Sequence, residues 1–245
     1  RQIENDENTA RLYIKNNLEN DFDQLNKGFG KAPKFPQPIL HEFILEHYSK
    51  TKDKDFLKIS LETLDAIEKG GIHDQVGGGF HRYSVDEKWL VPHFEKMLYD
   101  NTSLAYLYLN AYRITKEKKY KDTVEKTLNY LSKEMFSESG GFYSAQDADS
   151  EGVEGKFFTW SIDEINSVLN KEEAEKIISN FNLTNEGNFE GKNILFKNKD
   201  IDNEDKKIIP EALKKLYSER SKRIPPLTDK KVITSWNSMA LKVFA

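Results

Sequence analysis

The chain has 245 residues, enough for one large domain with a sizeable core. Apolar residues make up 37% and charged residues 32%, the formal net charge is −4, and there is no cysteine. Disulfides, zinc–thiolate centres and cysteine nucleophiles are excluded, nothing pulls the chain globally towards nucleic acid, and a reducing cytoplasmic setting fits.

No window reaches the roughly 18 uncharged apolar residues of a membrane helix, so no membrane partner is expected. The longest candidate, Leu104 to Tyr112, falls far short. The N-terminus is polar, without the apolar core of a signal peptide. Residue 1 is Arg, and the last segment is still in helical rhythm at Phe244 with no stop signal. The chain therefore reads as an excerpt of a longer protein.

Residues 3–20 read as a polar helix. Pro36 and Pro38 lead into a helix at 38–50, with Leu40, Phe43, Ile44 and Tyr48 on one side. Residues 54–69 carry Leu57, Leu61, Leu64 and Ile67 on one stripe, and Gly70 and Gly71 end them. Helices at 95–115 and 117–136 contrast. The first is apolar nearly all round at LAYLYLNAY, and the second has one stripe through Val124, Leu128, Leu131 and Met135. One should lie inside and its neighbour outside.

Residues 141–146 and 156–160 read as a short strand pair around DADSEGVEG. Ser161 then caps a helix, with Glu164 completing a capping box. Helices follow at 171–180 and 208–220, with a charged loop at 197–207 between them. Gly-Phe recurs at Gly28-Phe29, Gly79-Phe80 and Gly141-Phe142, spaced by 51 and 62 residues. That spacing fits one helical hairpin plus a long loop. Inner and outer helices alternating with long loops predict a mainly all-α fold, an α/α toroid with a ligand site at one mouth.

Residues 70–101, GGIHDQVGGGFHRYSVDEKWLVPHFEKMLYDN, hold three of the five histidines among acids, glycines and aromatics. A packed core does not need that mixture, because buried charge is costly unless paired. A polar pocket with acid–base chemistry does.

The chain resembles the YyaL-like family of thioredoxin-domain-containing, spermatogenesis-associated proteins. The matching motifs are GFGKAPKFPQP (28–38), the 70–101 segment, GGFYSAQDADSEGVEGKFFTW (140–160), GNFEGKNIL (187–195) and DKKVITSWNSMAL (229–241). Lys230 and Ser238 depart from the family pattern, which tends to Asp and Gly there. The resemblance implies a thioredoxin-like domain ahead of a helical toroid similar to N-acylglucosamine 2-epimerases and six-hairpin glycosidases. Residues 1–245 would then be one truncated domain, an incomplete (α/α)6 toroid with short β-hairpins in its loops. The thioredoxin-like domain is an expected partner in the full-length protein, and the fragment could self-associate where closing hairpins are absent. The ligand implied is a small, sugar-like molecule.

His93, Glu95, His73, His81 and Asp100 are the candidate catalytic residues. Histidine titrates near neutrality and suits proton transfer at carbon or at a glycosidic oxygen. Glu95 is expected in the first turn of the helix that follows Pro92. Asp147 and Asp149 form a second acidic cluster, able to serve glycoside hydrolysis or, with Glu151 in a loosely calcium-like D-x-D-x-E spacing that lacks the full EF-hand loop, to bind Ca²⁺. Tyr83, Trp89 and Trp236 could stack against a sugar, with Asp86, Glu190 and Asn237 as further wall residues. The histidine spacing matches no compact metal-ligand pattern, and neither a metal nor a cofactor is expected. A non-catalytic sugar- or peptide-binding module is the competing expectation.

Overall fold

In the computed structural model, backbone is described for residues 2–245 and side chains from residue 8. The repeated order is outer helix, loop, inner helix. Outer helices are α1 (Gln2–Asp21), α3 (Lys54–Lys69) and α5 (Lys118–Tyr130). Inner helices are α2 (Pro38–Thr51), α4 (Leu98–Thr115) and α9 (Thr234–Phe244). Helix α4 packs against α2, α5 and α9, so the inner helices stand side by side in an arc.

Local chemistry sets the helix ends. Asp53 accepts a hydrogen bond from the Phe56 amide (3.1 Å) and starts α3. The α3 stripe buries Leu57, Leu64 and Ile67 against Leu104, Leu107 and Tyr108 of α4, while Phe56 packs with Phe22, Phe29 and Ile44. Outer helix α5 runs on into a single π turn, Leu131–Met135. Three further helices, α6 (Ile162–Val168), α7 (Lys171–Asn180) and α8 (Asp205–Arg220), close a second apolar core around Trp160, Ile177 and Leu216. The capping box at Ser161 and Glu164 is present, and Asn170 with Glu173 forms another at α7.

Two expectations need correction. The inner helix starts at Leu98, not at residue 95, because the preceding residues are extended. Strand β1 (Tyr83–Ser84) pairs with β2 (Pro92–His93). Strand β3 (Lys96–Met97) pairs with β4 (Ala145–Gln146), which also pairs with β7 (Thr228–Asp229). Glu95 therefore sits between two strands and gains nothing from a helix dipole. The expected partnership of 141–146 with 156–160 is also absent. Instead β5 (Asp149–Ser150) turns back on β6 (Val153–Glu154) through Glu151 and Gly152, both at positive φ (53° and 74°).

The Gly-Phe elements prove structurally equivalent. Phe29, Phe80 and Phe142 each close an isolated antiparallel bridge, to Phe22, His73 and Phe136. Each follows a glycine in the left-handed region (φ 84°, 74° and 79°). At Gly79 a Cβ would lie 2.9 Å from Asn101 Oδ1 and collide with the Tyr130 ring, so only glycine fits.

The fourth residue of the inner helix then grips the phenylalanine backbone. Asn101 Oδ1 accepts from Phe80 N (2.7 Å), and its Nδ2 donates to Phe80 O (3.0 Å) and Met97 O (2.9 Å). Asn237 repeats the grip on Phe142 N (2.6 Å) and O (3.0 Å). In α2 the same position is His41, whose ring instead lies 5.6 Å from the Phe29 ring.

Candidate functional site

The first half of the 70–101 segment is interior. Asp74 accepts two hydrogen bonds from the Arg220 guanidinium (2.9 Å each) and one from Lys96 Nζ (2.8 Å), all three groups being buried. Burial alone would raise the Asp74 carboxyl, but Arg220 and Lys96 hold it well below the ordinary range. His73 stacks on Phe80 (4.8 Å) and its Nδ1 faces Glu68 O (3.1 Å). His81 Nδ1 faces Phe94 O (2.8 Å). Burial lowers these imidazoles to about 4 and about 3, so both are neutral above mild acid. Neither lines a cleft.

Trp89 is likewise core, 1% exposed, and donates its indole N–H to Asn26 O and Lys27 O. Asp86 accepts from the backbone N–H groups of Lys88, Leu90 and Val91 and folds the β1–β2 connection. Asn237 is a latch rather than a wall residue.

In the second half the side chains of Arg82, His93 and Glu95 are partly exposed. The His93 ring stacks on Tyr83 (centroids 5.0 Å apart), and Tyr83 in turn lies on Phe35 (4.7 Å). His93 Nδ1 is 2.7 Å from Glu154 Oε1, brought over by the β5–β6 hairpin. With an ionised Glu154, Nδ1 is the donor and Nε2 carries the lone pair. Nε2 stands 3.7 Å from Glu95 Oε2, which accepts a hydrogen bond from Arg82 (3.1 Å).

Asp100 lies in the same charge cluster, half-buried, with Oδ2 buried and unpartnered. The Arg82 Nε beside this cluster is also buried without a partner. Burial pushes the Asp100 carboxyl up to about 7, opposed by Arg82 and assisted by Glu95.

Glu95 also lines a cleft of 560 Å³ with Met97, Asp147, Asp229, Lys231 and Trp236. That size suits a small ligand. Trp236 forms an edge-to-face pair with Tyr99 (4.9 Å). A slightly larger hollow of 660 Å³ lies near α1 and α2, with Leu18, Asp23, Phe29 and Leu40. Asp149 and Glu190 are exposed and outside the cleft lining. No group of three or more His, Asp or Glu with metal-binding geometry occurs among the described residues.

The structure thus gathers His93, Glu95, Asp100 and Tyr83, and Glu95 shares the cleft lining with Asp147 and Trp236. It adds Glu154, Arg82, Tyr99 and Asp229, which sequence reasoning did not select. Glu154 had a signal in hindsight: Glu151-Gly152 is a two-residue hairpin turn that returns the chain to the mouth.

A mainly α-helical arc of inner and outer hairpins, with an acid–base cluster at one end of its inner helices, defines the class. No family profile matches the chain. Human spermatogenesis-associated protein 20 is 31% identical over 267 residues, covering 93% of this chain and 34% of the relative. An uncharacterised Caenorhabditis elegans protein is 34% identical over 269 residues, covering 93% and 36%. The chain is therefore homologous, over nearly its whole length, to the spermatogenesis-associated protein 20 family. It spans about a third of the length of the curated relatives it matches.

Among solved structures, a sugar epimerase from a ruminal bacterium is similar at 18% identity and TM-score 0.47, covering 66% of this chain and 46% of that one. A family 76 glycoside hydrolase from a bovine Bacteroides thetaiotaomicron strain is similar at 23% and 0.40, covering 46% and 23%. Likeness at this level carries no weight for activity. No described helix is long and apolar enough to cross a membrane.

Proposed function

We propose that the cleft beside Glu95 is a carbohydrate site with acid–base chemistry of the sugar epimerase or isomerase kind. One observation carries the reading: Glu154 holds His93 by Nδ1 and leaves Nε2 facing Glu95, which lines a cleft together with Trp236. A carboxylate on one imidazole nitrogen orients the ring and fixes which nitrogen carries the proton. His93 Nε2 then removes the proton alpha to the carbonyl of an open-chain sugar. Arg82 and Asp100 stabilise the oxygen on which negative charge develops. Return of the proton to the opposite face, or to the neighbouring carbon, gives the epimer or the isomer. Trp236 supplies an apolar face for the sugar ring.

A second reading has its own support. Arg82 already occupies Glu95 and Glu154 occupies His93, as in a rigid binding surface without turnover. In the whole protein such a module would present a sugar or a peptide to an attached thioredoxin-like domain. Leu241 and Phe244 of α9 are exposed, and further hairpins would pack there; without them the arc would self-associate.

The test is to incubate the full-length protein in D2O with D-glucose, D-mannose or N-acetylglucosamine and follow the C2 proton by NMR. Exchange that falls by about 10²–10⁴ in His93→Ala and Glu95→Gln supports the enzyme. Binding without exchange selects the module. Neither binding nor exchange overturns the carbohydrate reading.

A further inference from the structure

The linker between the first Gly-Phe turn and α2 alternates strictly. Pro33, Phe35 and Gln37 are exposed, and Lys34 and Pro36 are buried. That is the period of an extended segment with one face in and one face out. Lys34 N donates to Ser84 O (2.7 Å) and Ser84 N to Lys34 O (2.9 Å), so the linker adds a third segment to the β1–β2 pair. The buried Lys34 side chain pins it, Nζ donating to Asp23 Oδ2 (2.7 Å) and Glu87 O (3.2 Å).

Register then decides which rings meet. Lys34 stands opposite Ser84, so the antiparallel sense sets Phe35 opposite Tyr83, and Tyr83 stands opposite His93. The three rings form one row across the sheet, with centroids 4.7 and 5.0 Å apart. At one end His93 Nε2 is 3.7 Å from Glu95. At the other Phe35 is 43% exposed, with no further ring beside it among the described residues.

An exposed phenylalanine on a pinned segment adds little to the core, and its place costs no further ordering when a ligand arrives. The C–H face of a pyranose is apolar and packs on aromatic rings, whose faces carry partial negative charge. Three rings in file match the footprint of one or two sugar units. A stable protein partner needs about 800 Å² on each side.

We propose that the Phe35–Tyr83 row is a second sugar subsite, and that the substrate is a reducing disaccharide or a longer saccharide. Its reducing unit stands at His93 and Glu95, and its next pyranose lies along the row towards Phe35. The inference rests on the carbohydrate reading above and names its substrate class. Continuity decides the occupant: the row shares His93 with the acid–base pair, so a sugar on it is one glycosidic link from the sugar that reacts.

The experiment is calorimetric titration of the full-length protein with paired probes: glucose against cellobiose and maltose, mannose against mannobiose, N-acetylglucosamine against chitobiose. At least one disaccharide should bind about tenfold more tightly than its monosaccharide, which is about 1.4 kcal/mol. Phe35→Leu, which keeps apolar bulk for the strand, should remove that gain. Phe35→Trp, which keeps a ring in the row, should retain it.

Equal affinity within every pair would overturn the inference and leave the carbohydrate reading intact. A disaccharide gain that survives Phe35→Leu would do the same. If no probe binds, both fall.

Discussion

Residues 70–81 and 82–100 look alike in composition, yet the structure puts them to opposite uses. In the first stretch every ionisable group is interior: Asp74 is matched by Arg220 and Lys96, and His73 and His81 meet Glu68 O and Phe94 O through Nδ1, with His73 Nε2 sealed in the core away from any cleft described above. In the second, His93, Glu95 and Arg82 are partly exposed, and buried polar atoms of Asp100 and Arg82 lack partners. Matched buried charge holds a fold in one arrangement. Unmatched polar atoms beside a cleft are a reserve that a ligand can complete. The contrast separates scaffold from chemistry within one loop.

The largest expected effect is that of acid on the interior stretch. Burial keeps His73, His81 and also His41 neutral, with pKa values lowered to about 4, 3 and 4 from 6.5. Between those values the unfolded chain binds more protons than the native one. Stability should be full above pH 6.5 and fall by several kcal/mol towards pH 4, at about 1.4 kcal/mol per unit of pKa difference. Asp100 runs the other way: its raised pKa binds a proton in the native state, and that contribution is lost as pH rises towards about 7. Three groups outweigh one, so urea midpoints should drop on acidification. A flat profile from pH 7 to 5 would break the scaffold half of the contrast.

Asp74→Asn comes next. It leaves Lys96 and Arg220 buried without their counter-charge and should cost about 3–5 kcal/mol. Asp100→Asn, by contrast, should lose no stability at about pH 8. If both carboxyls behave alike in chemical denaturation, the two stretches do not differ as described.

Asn101→Ala should follow, at about 2–3 kcal/mol, because it strands the backbone N–H and C=O of Phe80. Asn237→Ala should cost less, since its site is half-buried. His93→Ala should change unfolding by no more than about 1 kcal/mol, its polar contacts being partly solvated. A larger loss would make His93 a structural residue.

The helices were legible from the sequence because stripe, cap and terminating glycine are local signals: Asp53, Ser161 with Glu164, and Gly70 each did what their chemistry requires. The start of α4 was misread for a physical reason. Pro92 looks like a helix opener, but Lys96 and Met97 pair with residues about fifty positions away in sequence, at Gln146 and Ala145. Burial of each histidine was equally non-local. Nothing in the neighbours of His81 and His93 separates an imidazole under Phe94 and Phe158 from one stacked on Tyr83. Glu154 was missed because its partner lies 61 residues away.

The asparagine grip on the Phe80 and Phe142 turns has a consequence for how the chain can grow. Between Phe29 and Pro38 there is only a short linker, but between Phe142 and Thr234 the same interval holds three helices and four short strands. With turn and inner helix clasped to each other, an excursion of almost any length begins and ends at fixed points, and the entropy of closing it rises only slowly with its size. Such a joint is a natural docking port for inserted modules: the ring wall is unaffected by what is spliced in, and new side chains arrive directly over the mouth.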